Sequence, residues 1–94
     1  MFAVQTDSTG VIKLIGRLDA AQSANAEKAL AELQGNVTVS MRELEYISSA
    51  GLGLFIATHQ RLAKSGGTLT LVDLSDHVRH VFHLARLDLV LSIK

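Results

Sequence analysis

The chain has no cysteine, no proline, no excess of either charge and no apolar run long enough to cross a bilayer. The absence of cysteine excludes a disulfide framework and a thiolate metal site. Nine basic residues balance nine acidic ones, which argues against a nucleic-acid binder, because such a protein must neutralise phosphates. The first residues show no basic segment followed by an apolar run. We therefore expect no signal peptide, no direct membrane insertion and a cytoplasmic protein.

What the sequence does contain is enough apolar material for a small core. Of its 94 residues, 48% are hydrophobic and 19% are charged, a composition typical of a folded chain. The length suits a single domain over residues 1–94. No Ser- or Pro-rich linker and no internal repeat divides the chain.

Strand-like and helical patterns alternate along the sequence. They predict the order β-β-α-β-α-β-α-β, an α/β domain with a mixed, mostly parallel β-sheet flanked by helices. The first two strands are close enough in sequence to pair as an antiparallel hairpin, and the fourth is apolar enough to be buried on both faces. The predicted strands cover residues 2–5, 11–15, 37–41, 68–72 and 89–93.

Capping patterns mark the three predicted helices. The first begins at Asp19, which forms a capping-box pattern with Gln22, and ends at Gly35 in a left-handed cap. The second runs over residues 50–64, and the third follows a Ser75 cap and ends before Arg86. Helical spacing predicts these core-facing residues: Ala26, Ala29, Leu30 and Leu33, then Leu52, Phe55, Ile56, Leu62 and Ala63, then Val78, Val81, Phe82 and Ala85.

The segment Ile47-Ser48-Ser49-Ala50-Gly51-Leu52-Gly53 lies between the third strand and the second helix. Its two glycines are expected to allow a tight turn. The N–H groups at a helix N-terminus are unpaired and carry partial positive charge. Ser48 or Ser49 therefore suits an N-cap, and the same position suits a phosphoacceptor or a phosphate-binding site. These interpretations are compatible, since a capping hydroxyl is also exposed.

Motifs for other chemistry are incomplete. A nucleophile elbow would need glycine in place of Ile47, and Ile56 replaces the third glycine of a dinucleotide fingerprint. The three histidines His77, His80 and His83 drift around their helix, and no cysteine or acidic cluster joins them, so a solvated helix face is favoured over a metal site. We expect no enzyme, no cofactor and no metal.

The chain resembles the STAS domains of bacterial anti-sigma-factor antagonists over nearly its whole length, and four segments in order carry the resemblance. Gly16-Arg17-Leu18-Asp19 is similar to the turn after the family's second strand, and the segment 44–53 is similar to its phosphorylation loop. Ser65-Gly66-Gly67-Thr68-Leu69 is similar to the helix-to-strand turn, and the segment 74–82 followed by Leu87-Asp88 is similar to the C-terminal helix.

The resemblance implies a regulatory binding module. In the family, an aspartate usually precedes the phosphorylated serine of the loop. Carried over here, Ser49 is the phosphoacceptor, and Ser48 occupies the aspartate position and is the alternative acceptor. The implied partner-binding residues are Asp19, Ser48, Ser49, Ala50, Gly51 and Leu52.

The resemblance also implies the partners. The unphosphorylated domain is expected to bind an anti-sigma factor that is itself a serine kinase, and this binding frees the sigma factor. Phosphorylation of the loop separates the two proteins, and a PP2C-type phosphatase resets the switch. The alternative is the STAS accessory subunit of a phospholipid-trafficking ABC transporter, which braces an ATPase and needs no phosphorylation. Ser48 in place of the aspartate keeps that alternative open.

Overall fold

The computed structural model describes all 94 residues of the chain. Five strands form one sheet, and three α-helices connect the parallel strands. Two short 3-10 turns precede α1 and β5. The elements are β1 (Phe2–Thr6), β2 (Ile12–Leu18), the turn Ala20–Gln22, α1 (Ser23–Ala31), β3 (Asn36–Ile47), α2 (Ser49–Lys64), β4 (Thr68–Val72), α3 (Asp76–Leu84), the turn Leu87–Leu89 and β5 (Ser92–Ile93).

The strands lie in the sheet in their sequence order. β1 and β2 form the predicted antiparallel hairpin, with Val4 opposite Leu14, and the pairs from β2 to β5 are parallel. The predicted α/β class and strand order are confirmed. Asp7 shapes the hairpin turn, since its carboxylate accepts hydrogen bonds from the N–H and hydroxyl of Thr9 at 2.8 and 2.6 Å. The side-chain bond from Thr9 is the largest cause that holds the pKa of Asp7 below its usual value.

All three helices cover the same face of the sheet. Each crossover steps one strand further in the same direction, and right-handed crossovers then place every helix on one side. The rings of Phe55 in α2 and Phe82 in α3 lie 6.2 Å apart between centroids over this face. The apolar residues of one strand face and of the three helices form a single buried cluster. The core is therefore one layer between helices and sheet.

The other face of the sheet is uncovered by helices. It carries Lys13, whose Nζ lies 3.7 Å from Glu43 Oε2. The prediction that β4 is buried on both faces was wrong. Leu69 and Leu71 are buried against the helices, whereas the residues that alternate with them are exposed or only half-buried.

β2 and β3 are both longer than the sequence pattern predicted. Two register shifts insert extra residues into β3, one between its pairings with Lys13 and Ile15 and one between those with Gly16 and Arg17. These bulges break the period-two alternation, so Leu44 and Ile47, three residues apart, are both buried. The expected turn at residues 16–18 belongs instead to β2.

Gly16 is required inside β2 because the chain's first residue packs against it. Its φ is +95°, and a side chain there would clash with the carbonyl oxygen of Met1. That same oxygen accepts a hydrogen bond from the Arg17 N–H at 2.9 Å. Glycine therefore serves a close backbone approach here, where the sequence suggested a strand end.

The helix predictions need four corrections. Asp19 caps the 3-10 turn and not α1 itself, and the Gln22 side chain accepts from Asn25 instead of completing a capping box. Gly35 has φ +75°, but α1 ends earlier, with Glu32 as its C-cap. The predicted core residues Ala63 and Ala85 are exposed. The other predicted helix residues are buried or half-buried: Ala26, Ala29, Leu30, Leu33, Leu52, Phe55, Ile56, Leu62, Val78, Val81 and Phe82.

The last predicted strand is mostly a helical turn. Arg86 adopts a left-handed conformation with φ 60° and ends α3. Leu87 and Leu91 are both buried, and the Leu91 N–H donates to the Leu87 carbonyl at 2.7 Å. Their spacing of four residues is helical. Only Ser92–Ile93 pairs with β4.

Candidate functional site

A single residue, Ser48, separates β3 from α2. Its backbone is extended, and its Oγ accepts a hydrogen bond from the Gly51 N–H at 3.2 Å. Its own N–H donates to the carbonyl of Leu18 at 2.9 Å, which ties the connection to the end of β2. Ser48 is therefore the N-cap of α2, and both its backbone and its side chain are held in place.

The two glycines do not form the tight turn that the sequence suggested, since both lie inside α2 and neither has a positive φ. Gly51 is buried, and a Cβ on it would lie 2.9 Å from Cγ1 of Ile47 and 3.0 Å from Cγ of Leu18. Gly53 faces open space. Gly51 thus allows the first turn of α2 to pack closely on the ends of β2 and β3.

Ser49 is the first residue of α2 and is exposed. Its hydroxyl forms no hydrogen bond within the chain, in contrast to that of Ser48. Ala50 beside it is also exposed, and Leu52, half-buried, donates the first helical hydrogen bond to the Ser48 carbonyl at 3.0 Å. The free hydroxyl therefore stands at the positive end of a 16-residue helix.

Asp19 lies at the same edge of the sheet. Leu18 and Ile47 are register partners at the ends of β2 and β3, and Asp19 and Ser48 are the residues that follow them. One oxygen of the Asp19 carboxylate, Oδ1, accepts a hydrogen bond from the Gln22 N–H at 3.2 Å. The structure thus brings together Asp19, Ser48 and Ser49, the polar residues that the sequence singled out.

The sequence did not reveal how the site is supported. Leu18 and Ile47, 0% and 5% exposed, form the platform beneath Gly51. One residue earlier on each strand, the guanidinium carbon of Arg17 lies 4.5 Å from the ring centroid of Tyr46, on the face without helices. The contact of Gly51 with Leu18 and Ile47 and the contact of Arg17 with Tyr46 both depend on the register of β2 and β3, which the bulges of β3 determine. No local sequence pattern predicts that register.

The arrangement suits the acceptance of negative charge more than catalysis. The first-turn amides and the helix dipole favour an anion at Ser49. The histidines of α3 are exposed, and His83 hydrogen-bonds to Asp88 at 2.9 Å. No three His, Asp or Glu side chains lie together in a way that would hold a metal ion. None of the helices is both long and apolar enough to span a membrane.

Curated relatives share part of this chain. An anti-sigma-B factor antagonist of Bacillus subtilis is 31% identical over 64 residues, which cover 68% of this chain and 59% of the relative. BtrV of Bordetella bronchiseptica, named as a candidate anti-sigma factor antagonist, is 39% identical over 70 residues, which cover 67% of this chain and 60% of the relative. The matched part is less than two thirds of either relative's length.

Solved structures share the whole fold. An anti-sigma factor antagonist from Mycobacterium paratuberculosis superposes with a TM-score of 0.80 at 22% identity, covering 99% of this chain and 83% of that one. SpoIIAA, a Bacillus cell fate determinant, in its phosphorylated form gives 0.70 at 17% identity, covering 100% and 91%. The family model described as "Mlab, STAS domain" matches residues 1–92. The chain therefore belongs to the STAS domain family.

Proposed function

We propose that this protein is an anti-sigma-factor antagonist that binds an anti-sigma factor serine kinase and is released when Ser49 is phosphorylated. One observation carries the proposal: Ser49 presents a free, exposed hydroxyl at the N-terminus of α2. The two curated relatives described above are named as an anti-sigma-B factor antagonist and a candidate anti-sigma factor antagonist, which supports the antagonist role here. Such a switch acts in the cytoplasm.

Ser49 is a better acceptor than Ser48 because the two hydroxyls have different roles. The Ser48 Oγ accepts from the Gly51 N–H, and Ser48 is half-buried. Phosphorylation of Ser48 would replace the capping hydroxyl and crowd the platform beneath the helix. Phosphorylation of Ser49 leaves the cap intact, so a kinase meets a hydroxyl that needs no local unfolding to react.

A phosphate at Ser49 would act locally. It adds about −1.5 to −2 charges and three strong acceptors at pH 7, and the helix dipole stabilises this charge at the N-terminus. A partner seated on the same residues would have to desolvate a hydrated dianion, which costs free energy unless cationic groups meet it. SpoIIAA in its phosphorylated form has the same fold as this chain, which supports a switch without refolding.

The surface offered to the kinase surrounds the acceptor. Asp19, Ser49 and Ala50 lie at its centre on one edge of the sheet, and Leu52 lies half-buried beside them. Gly51 is buried, so its contribution is to let the helix approach the sheet. A PP2C-type phosphatase would then restore the free hydroxyl and the binding surface.

The test uses binding and phosphate mapping together. Candidate serine kinases would be incubated with the chain and ATP, and any phosphate on the chain located by mass spectrometry. We expect phosphate on Ser49 in the wild type and in Ser48→Ala. By calorimetry, Ser49→Ala should bind the kinase whether or not ATP is present, and Ser49→Asp should bind weakly. Equal binding by the two Ser49 variants would contradict the switch.

Two observations favour a second function. The family model that matches residues 1–92 is described as "Mlab, STAS domain", and Ser48 stands where the antagonists usually have aspartate. Both fit an accessory subunit of a phospholipid-trafficking ABC transporter. Affinity purification of the tagged chain separates the two functions, since an ATPase with its permease should copurify in one and a kinase in the other.

A further inference from the structure

Exposed apolar side chains concentrate at the end of α3. Four large hydrophobic residues of the chain are strongly exposed, and three of them lie within residues 84–90. Leu84, Leu89 and Val90 are 68%, 78% and 52% exposed. Single exposed apolar residues are ordinary, but a cluster rimmed by polar groups marks an interaction site.

The local backbone brings two of these side chains to one surface pocket. Arg86, with φ 60°, turns the chain back after α3, so that Leu84 and Leu89 line one surface pocket of about 260 Å³. His83, Arg86 and Asp88 line the same pocket. The pocket, which we call the corner pocket, thus combines two exposed apolar side chains with charged ones.

The charged residues that line the corner pocket are of both signs. The Arg86 guanidinium takes part in none of the molecule's ion pairs. Asp88 hydrogen-bonds to His83 at 2.9 Å, and this bond is the largest cause that holds the pKa of Asp88 below its usual value. An unpaired cation and a stable anion therefore stand beside the same two exposed leucines.

The corner pocket is remote from Ser49. Ser48 follows the carboxyl end of β3, and α3 begins after the carboxyl end of the parallel strand β4. α3 then runs back along the sheet, so Leu84 lies toward the edge where β5 begins. A partner at the corner pocket would leave the Ser49 surface free.

We propose that the corner pocket binds the corner pocket of a second copy of this chain in a two-fold symmetric dimer. In such a dimer the same patch of each copy forms the interface, so the patch must be complementary in shape and charge to its own two-fold copy. A pocket lined by two exposed leucines, one free cation and one anion meets this condition, because Arg86 of each copy can face Asp88 of the other. Leu84 and Leu89 then exclude water between the two ion pairs.

The expected association is weak. A stable interface buries roughly 800 Å² on each partner, and this patch contains only three large apolar side chains. Dimers should therefore appear only at high protein concentration. Sedimentation velocity from about 10 μM to about 1 mM covers the range in which small interfaces dissociate.

Charge exchange between copies tests the pairing directly. We expect Arg86→Glu alone and Asp88→Arg alone to stay monomeric at every concentration, since each places like charges together in its own dimer. An equimolar mixture of the two variants should associate, because both pairs are then opposite in sign. Leu84→Gln should abolish association, and circular dichroism would verify that each variant is folded.

A charge reversal elsewhere provides the control. Arg42 lies 3.9 Å from Asp73 on the strand face without helices, so Arg42→Glu should associate as the wild type does. A wild type that remains monomeric up to about 1 mM would overturn the proposal. So would association that persists in Arg86→Glu, or a variant mixture that fails to associate.

Discussion

Gly51 is the residue whose replacement tests the site's architecture most directly. Its buried α-carbon lets the first turn of α2 lie against Ile47 and Leu18. In Gly51→Ala, the new methyl would lie 2.9 Å from Ile47 Cγ1 and 3.0 and 3.1 Å from two Leu18 carbons. Both side chains are almost fully buried, so neither can move aside without disturbing the core.

The magnitude follows from two opposed terms. Inserting a methyl into a packed core costs about 1–3 kcal/mol. Alanine is favoured over glycine inside a helix by about 1 kcal/mol. The net effect of Gly51→Ala is therefore a destabilisation of about 0–2 kcal/mol. Gly53 offers the matched control, because it is helical and faces open space. Gly53→Ala should stabilise by about 0.5–1 kcal/mol.

The difference between the two variants gives the free-energy cost of packing the added methyl group at Gly51, because both variants gain the same helix propensity. Their free energies of unfolding should differ by about 1–3 kcal/mol, measured by urea denaturation with a common m-value. In a chain of 94 residues, each kcal/mol corresponds to about 4–8 °C in Tm, so thermal scans provide a second measurement. If both variants stabilise the protein equally, the close approach at Gly51 is not a constraint and our account of the site is wrong.

Two further predictions concern stability. Ser48→Ala should lower the free energy of unfolding by about 1 kcal/mol through loss of the N-cap, whereas Ser49→Ala should change it by less than about 0.5 kcal/mol; equal effects in thermal denaturation would refute the assignment of the cap. Because the folded pKa of Asp88 is depressed, its contribution is present above the unfolded pKa and is lost as pH falls through the folded pKa. Urea midpoints of wild type and Asp88→Asn should therefore differ at pH 7 and converge in acid; a constant gap would contradict this.

The sequence predicted elements best where capping and periodicity agree. Ser75 caps α3 through a 3.2 Å bond from the Val78 N–H, and β4 has the predicted bounds. These features depend on residues within one turn or one strand. The element order follows from them, since alternating strands and helices allow few arrangements.

The errors lie where distant segments set the local structure. The sequence pattern does not predict that β3 continues through residues 42–46. At the bulge two consecutive residues, Arg42 and Glu43, are both exposed, and this interrupts the alternation typical of a strand. The apolar run after Arg86 has the composition of a strand. The helical turn in it spans too few residues for a helical period to be recognised in the sequence. The sequence predicts Gly51 as a turn residue. Only the packing of Leu18 and Ile47 against it shows that a glycine is needed for the close approach of α2 to the sheet.

Ser48 has a physical consequence for the proposed switch. Serine and aspartate cap helices about equally well, so Ser48, at the position where the family resemblance implies an aspartate, preserves the start of α2, as the 3.2 Å bond from the Gly51 N–H indicates. The two residues differ in charge. An aspartate would repel a phosphate dianion on the adjacent Ser49, whereas the neutral Ser48 does not. In the proposed switch, the substitution should therefore leave the folded state unchanged and make a phosphate on Ser49 electrostatically less unfavourable.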